Sequence, residues 1–258
     1  MSPLLKAEGI SKQFRGLKAV ADYSLQLEAG SIVGLIGPNG AGKTTVFNML
    51  TGILKPTTGR VLLNGRDITG FRPDRIAGLG MARTFQNLRL FNSLSVLDNV
   101  LIGAQIHKGY GITAVLGSLP SFRQSERILQ ERALELLDTM DLSDKAGLDA
   151  GNLPYGDQRK LEIARALATK PQILLLDEPA AGMNPRESRE LITTISRVRE
   201  RFELTVLLIE HDMHFVMNLC ERIQVLSYGK IIAEGKPAEI QSDEQVIEAY
   251  LGRAASHA

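Results

Sequence analysis

Residues 32–36 read IVGLI and run without a spacer into GPNGAGKT, residues 37–44. Five apolar residues with no polar alternation fit a strand buried on both faces of a parallel sheet. The Gly-x-x-x-x-Gly-Lys-Thr spacing that follows, with a helical pattern over Val46–Leu50, predicts a phosphate-binding loop between strand and helix. Gly37, Gly40 and Gly42 leave room for backbone N–H groups to wrap phosphates, and Pro38, Asn39 and Ala41 complete the curve. Lys43 is placed to reach the β and γ phosphates, and the Thr44 hydroxyl to ligate Mg²⁺. Thr45 falls in the first turn of a helix whose positive end faces the triphosphate. This pattern binds a nucleoside triphosphate; it does not say which reaction follows.

Two further short apolar runs, Ile173–Leu176 and Val206–Ile209, have the same character. The first ends in Asp177 and Glu178. Beside a phosphate loop, Asp177 is expected to hold Mg²⁺, and Glu178 to accept a proton from water attacking the γ phosphate. The second ends in Glu210-His211-Asp212. With only His214 nearby and no cysteine, no metal cluster is read there. All three runs put polar residues at their carboxyl ends, where open α/β sheets bind ligands.

Helical patterns over Ser125–Met140 and Glu187–Arg201 separate the runs, while Asn64-Gly65 and Tyr228-Gly229 predict hairpins. The expected fold is therefore α/β, a mostly parallel sheet with helices on both faces and antiparallel strands at its margin. Residues 89–152, rich in helical pattern, are expected to form a helical subdomain inserted between core segments 1–88 and 153–258 of one domain.

Composition narrows the function classes. A formal net charge of +1 gives no support for nucleic-acid binding. One cysteine excludes an internal disulfide, and its apolar setting, FVMNLCERIQVL, marks Cys220 as a buried structural thiol. The first residues lack the apolar core of a signal peptide. No stretch reaches the ~20 apolar residues of a membrane-spanning helix. The nearest, residues 100–119, is broken by Gln105, His107, Lys108 and glycines.

One segment remains: NLPYGDQRKLEIARALA, residues 152–168, which opens a helix with a glycine and free N–H groups suited to an anion. Together with GPNGAGKT, Gln86 in ARTFQNLRLF, ILLLDEP and IEHD, in that order, it makes the chain resemble the ATP-binding subunits of ABC transporters along nearly its whole length. The closer similarity is to the ATPases of bacterial branched-chain amino-acid importers, through residues 78–104, 152–167, 175–185 and the ending VIEAYLG. That resemblance implies the P-loop NTPase fold of ABC ATPases, ATP and Mg²⁺ as cofactors, and coupling of hydrolysis to transport.

Residue by residue, the resemblance implies that Gln86 contacts Mg²⁺ and the attacking water, and that His211 is the switch histidine at the γ phosphate. Phe14 matches the aromatic that stacks on adenine; its pattern alone also fits a core position. Tyr155, Gly156 and Asp157 would close over ATP held by a second subunit in a head-to-tail dimer, homo- or heterodimeric. Two membrane permease subunits and, indirectly, a solute-binding protein complete the implied assembly at the cytoplasmic face of the membrane.

Leu88, Leu90 and Phe91 would either meet a permease helix or form the helical segment's core. The family's usual Leu-Ser-Gly-Gly-Gln is replaced by Leu153-Pro154-Tyr155-Gly156-Asp157, and Asn184 stands where many relatives have aspartate. Asp157 adds negative charge near a polyanion, which Arg159 and Lys160 are expected to offset. Other readings compatible with these motifs are ATPases of urea or short-amide importers or of lipopolysaccharide exporters, and a nucleotide-binding regulatory subunit. A DNA- or ribosome-acting ABC ATPase would usually carry a second cassette or a long coiled coil, and a P-loop kinase would leave Glu178 and residues 153–158 unexplained.

Overall fold

The computed structural model of the chain describes residues 3–105 and 120–251. Part of the predicted helical segment, part of the apolar stretch at 100–119 and the last residue of VIEAYLG lie outside the described residues.

The central feature is a six-stranded sheet of β3 (Ile32–Ile36), β6 (Met81–Arg83), β7 (Ile173–Asp177), β8 (Thr205–Ile209), β9 (Arg222–Ser227) and β10 (Lys230–Gly235), in the order β10-β9-β3-β8-β7-β6. Only the β9–β10 pair is antiparallel. The three apolar runs read from the sequence are three of its four interior strands, and every residue of β3, β7 and β8 is buried. Their alternation serves two cores. Ile32, Ile36, Leu174, Leu176, Val206 and Leu208 face one, whereas Val33, Leu35, Ile173, Leu175, Leu207 and Ile209 face the other.

The second core is closed by a four-stranded antiparallel sheet, β2-β1-β4-β5, made of β1 (Leu5–Phe14), β2 (Leu17–Leu27), β4 (Thr58–Leu63) and β5 (Arg66–Asp67). Helix α1 (Lys43–Leu50) is sandwiched with it through Val46, Phe47, Met49 and Leu50, and α2 (Pro73–Gly78) adds Ile76. Both predicted hairpins are present. Asn64 and Gly65 have φ of 50° and 75°, and Tyr228 and Gly229 have φ of 46° and 78°, the paired left-handed geometry that suits two-residue turns between twisted strands.

The first core is covered by α3 (Val96–Ala104), α4 (Pro120–Thr139), α5 (Tyr155–Leu167), α6 (Pro185–Arg201), α7 (Met213–Leu219), α8 (Pro237–Gln241) and α9 (Glu244–Leu251). Helix α5 is the keystone of this layer, touching α3, α4, α6 and β6. Val96, Val100, Leu136, Leu137 and Met140 consequently share one apolar cluster with Leu174 and Leu176 of the sheet. Cys220 is buried at the end of α7, and burial pushes its thiol up to about 12, so it stays protonated and inert.

Asn184, the departure in the loop before α6, has a structural task. Its side chain accepts from the N–H groups of Arg186 and Glu187, both at 3.0 Å, and Glu187 returns a bond to the Asn184 N–H at 3.0 Å. This capping box with Pro185 behind it can use either an amide or a carboxylate oxygen at position 184.

Leu208 is fully buried in β8 between the apolar layers. Leu208→Ala should therefore cost about 2–5 kcal/mol. In urea unfolding, the midpoint should fall with the slope unchanged.

Candidate active site

The phosphate loop leaves β3 at its carboxyl end and is held from two sides. An added Cβ on Gly37, φ 147°, would lie 2.0 Å from the Leu226 carbonyl oxygen, and one on Gly42, φ 108°, would lie 2.7 Å from that of Ala19. Only glycine fits these two places. The Gly229 N–H donates to Ala41 O at 2.8 Å, so the β9–β10 turn also pins the loop. Lys43 is buried, and its ammonium donates to the carbonyl oxygens of Gly37 at 2.6 Å and Pro38 at 3.1 Å, spanning the curve.

A cavity of about 390 Å³ opens over this loop. Asn39, Gly40, Ala41, Gly42, Lys43, Thr44, Thr45 and Glu178 line it, so most of the predicted phosphate-site residues converge with the predicted base. Leu17, Lys18, Ala19 and Tyr228 also line it and were not read as site residues in the sequence, because nothing local ties the start of β2 or a distant hairpin to a phosphate loop. Phe14 is not part of this lining. It is half-exposed at the end of β1 with the Lys12 ammonium 5.3 Å from its ring, which removes the core alternative for it.

Glu178 has φ 47°, a left-handed backbone that costs a residue with a Cβ roughly 1–2 kcal/mol. The conformation is held by bonds from the Glu178 N–H to Ile209 O at 2.9 Å and from the Ala181 N–H to Glu178 O at 3.2 Å. It turns the carboxylate toward two predicted partners. Gln86 Nε2 donates to Glu178 Oε2 at 2.8 Å, and His211 Nδ1 lies 3.7 Å from the same oxygen. Gln86, Glu178 and His211, from three separate segments, thus meet at one atom.

Asp177 is buried and ion-paired through Oδ2 with Arg83 Nη2 at 2.6 Å. Arg83 also donates to Asn48 Oδ1 at 2.7 Å and lies between the rings of Phe47 and Phe85 at 5.5 and 5.1 Å. A second buried group escaped the sequence reading. The Glu210 carboxylate, raised by burial, accepts the N–H groups of Ala180 at 2.8 Å, His211 at 3.0 Å and Asp212 at 3.3 Å. It ties the segment after Glu178 to the segment carrying His211. Asp212 itself caps α7, accepting from His214 and Phe215 N–H. Among the described residues no group of three or more His, Cys, Asp or Glu could hold a metal by itself.

Tyr155, Gly156 and Asp157 form the first turn of α5, and none of residues 153–158 lines the cavity over the phosphate loop. The expected partners of Asp157 are corrected. Its carboxylate pairs with Lys145 at 2.7 Å, a bond that raises the lysine's pKa, whereas Arg159 is fully buried and Lys160 lies 3.9 Å from Asp141. Arg159, two residues on, points away from Asp157 on the helix, Lys160 is turned to Asp141, and the cation comes from the 3-10 turn Ser143–Lys145. The Tyr155 hydroxyl donates to Ala181 O at 2.9 Å.

Comparison with known proteins identifies the family. Residues 20–181 match the ABC transporter family, and residues 230–256 match the branched-chain amino acid ATP-binding cassette transporter family. The chain is 46% identical to the high-affinity branched-chain amino acid transport ATP-binding protein BraF of Pseudomonas aeruginosa, over 98% of this chain and 99% of that protein. Among solved structures it resembles the ADP conformation of MJ1267, an ATP-binding cassette of an ABC transporter, with TM-score 0.85, 32% identity and coverage of 98% and 100%. It also resembles the dimeric post-hydrolysis state of the cassette MJ0796 bound to ADP and Pi, with TM-score 0.75, 25% identity and coverage of 90% and 98%. The chain belongs to the ATP-binding cassette family of ABC transporters.

Proposed function

We propose that this chain is the ATP-hydrolysing subunit that powers import of branched-chain or related hydrophobic amino acids through separate membrane subunits. The observation that carries the reading is that Glu178, which lines the phosphate-loop cavity, accepts from Gln86 and has His211 beside it. A nucleotide-binding switch without hydrolysis has no need of a carboxylate held in a strained backbone, hydrogen-bonded by Gln86 and flanked by His211. A base for water does.

In this reading the loop from Gly37 to Thr45 binds the triphosphate, and Lys43 shifts its ammonium from loop carbonyls to the β and γ phosphates. Thr44 and Asp177 would hold Mg²⁺. They are hard oxygen donors, too few for a closed cage, which suits an ion that shares the substrate's phosphates. Bound there, Mg²⁺ would neutralise charge on the β and γ oxygens. Glu178 orients the attacking water and takes its proton, Gln86 fixes the carboxylate, and His211 stands by for the γ phosphate. Phe14 is the candidate for adenine stacking.

Residues 153–158 serve a second subunit. A Cβ on Gly156 would meet nothing closer than Glu187 Oε1 at 3.5 Å, and its backbone is ordinary helix. The chain's own packing does not require glycine there, whereas close approach of another subunit's phosphate does. Dimerisation through this face and docking to two permease subunits follow, with a solute-binding protein acting further upstream. Among the described residues no helix is long and apolar enough to cross a membrane, so attachment to the cytoplasmic face depends on those partners.

A groove of about 470 Å³, lined by Ile53, Ile76, Phe85, Phe91 and Ile102 among others, is the candidate seat for a permease helix. Phe91 is half-exposed in it, while Leu90 packs on the core.

Three substitutions separate these roles. Glu178→Gln should bind ATP normally and lose about 10²-fold or more in hydrolysis; near-parental turnover in the assembled transporter removes the base assignment. Lys43→Ala should weaken ATP binding itself, because the charge paired with the β and γ phosphates is lost; equal affinity rejects that role. Gly156→Asp should leave ATP affinity of the isolated chain unchanged and stop turnover of the assembled complex. A loss of affinity in the isolated chain matching that of Lys43→Ala would return this segment to the chain's own site.

A further inference from the structure

Arg159 is the largest fully buried side chain among the described residues. Burial of a guanidinium is costly unless its donors meet acceptors; here both Nη groups do, while Nε has none. Nη1 donates to Phe85 O and to Glu162 Oε2, both at 2.8 Å, and Nη2 donates to Gln86 O at 2.9 Å and to the Tyr155 hydroxyl at 3.1 Å. Glu162, whose carboxyl is raised by burial despite the arginine, accepts the Phe85 N–H at 3.4 Å through its other oxygen. The ion pair on α5 therefore grips the Phe85 peptide groups from both sides, one residue before the glutamine that touches Glu178.

The bonds close into a ring. Glu178 accepts from the Gln86 side chain, the Gln86 carbonyl accepts from Arg159, Arg159 donates to Tyr155, and Tyr155 donates to Ala181. Ala181 returns to Glu178 through its own N–H at 3.2 Å. A salt bridge that only stabilised the core could point anywhere in it. This one is directed at main-chain atoms of the segment that carries Gln86.

We propose that Arg159 is a positioning residue that makes the tip of α5 and the Gln86 segment one rigid unit, so that closure of the tip on a partner's nucleotide and placement of Gln86 in this chain's own site are a single event. The proposal rests on the dimer reading above. The ring runs from the buried Arg159 guanidinium out to the exposed Gln86 and Tyr155 side chains, and hydrogen bonds linked in this way strengthen one another, so breaking one weakens the rest. Tyr155, standing where the family commonly has a small residue, supplies the hydroxyl that completes the ring.

The test uses the transporter assembled with its membrane subunits. Arg159→Met with Glu162→Met removes both buried charges together, avoiding the orphaned ion that either single change would leave. The pair should leave ATP affinity of the isolated chain at the parental value and lower kcat of the complex by roughly tenfold with little change in KM, the pattern of a lost transition-state interaction. Combined with Gln86→Ala, it should add almost nothing to the loss caused by Gln86→Ala alone, which a merely structural role would not produce.

Parental kcat in the double variant, or losses that add fully with Gln86→Ala, overturns the proposal. Should the double variant not fold, Tyr155→Phe opens the ring by removing its bonds to Arg159 and to Ala181, with both charges intact. A lowered kcat that is non-additive with Gln86→Ala then supports the coupling, and additivity rejects it. Gly156→Asp separates the two levels. If it leaves complex turnover intact, the dimer reading fails; if it stops turnover while the ring variants do not, only the coupling fails.

Discussion

Burial of β3, β7 and β8 on both faces is the constraint on which the remaining structure depends. Each strand divides its side chains between two apolar layers, leaving no lateral surface for chemistry. Polar function can enter only where these strands end, and all three end on the same side because they are parallel. The loop after β3, the acids after β7 and the histidine after β8 are thereby delivered to one rim. The antiparallel sheet on one side and the helical layer on the other keep water from the strands themselves, and the C-terminal edges remain as the site.

The parts legible in the sequence are those whose signal is local. GPNGAGKT is a backbone shape written as a residue pattern, and the hairpins at Asn64-Gly65 and Tyr228-Gly229 are likewise short-range statements. Asp177 and Glu178 gain meaning from an apolar run of the right length before them. The destinations of Arg83, Arg159 and Glu210 were not legible. Charged residues are solvent-facing by default, and their burial here depends on acceptors brought from remote segments: Asp177 for Arg83, the peptide groups of residues 85 and 86 for Arg159, and three N–H groups for Glu210. Asp157 shows the same limit. Neighbours in sequence suggested its counter-charge, yet a separate turn supplied Lys145 instead.

Two buried ion pairs lie beneath the site. The Arg83–Asp177 and Arg159–Glu162 pairs are both nearly free of solvent, and both are anchored to segments that line the groove proposed for a permease helix. Apolar replacements could stabilise such positions as well or better. What an apolar residue cannot do is hold a carboxylate or a peptide carbonyl in one orientation, and orientation is what Glu178, Asp177 and Gln86 need.

The hold of the β9–β10 turn on the phosphate loop bears on how the protein is made. Strand β3 and its loop are synthesised early, but both sheet neighbours of β3, and the turn whose Gly229 fastens Ala41, come from the last part of the chain. On the ribosome the emerging loop is a glycine-rich segment without a frame, and the strand before it is an apolar ribbon with both edges open. Such non-local pairing is slow, and open edges are a hazard while it waits. The antiparallel sheet, whose β1–β2 pairing is nearly local, can assemble first and offer a surface for the apolar ribbon to rest on. A truncated product lacking the last two strands would have every residue of the loop and no fixed place to put a phosphate.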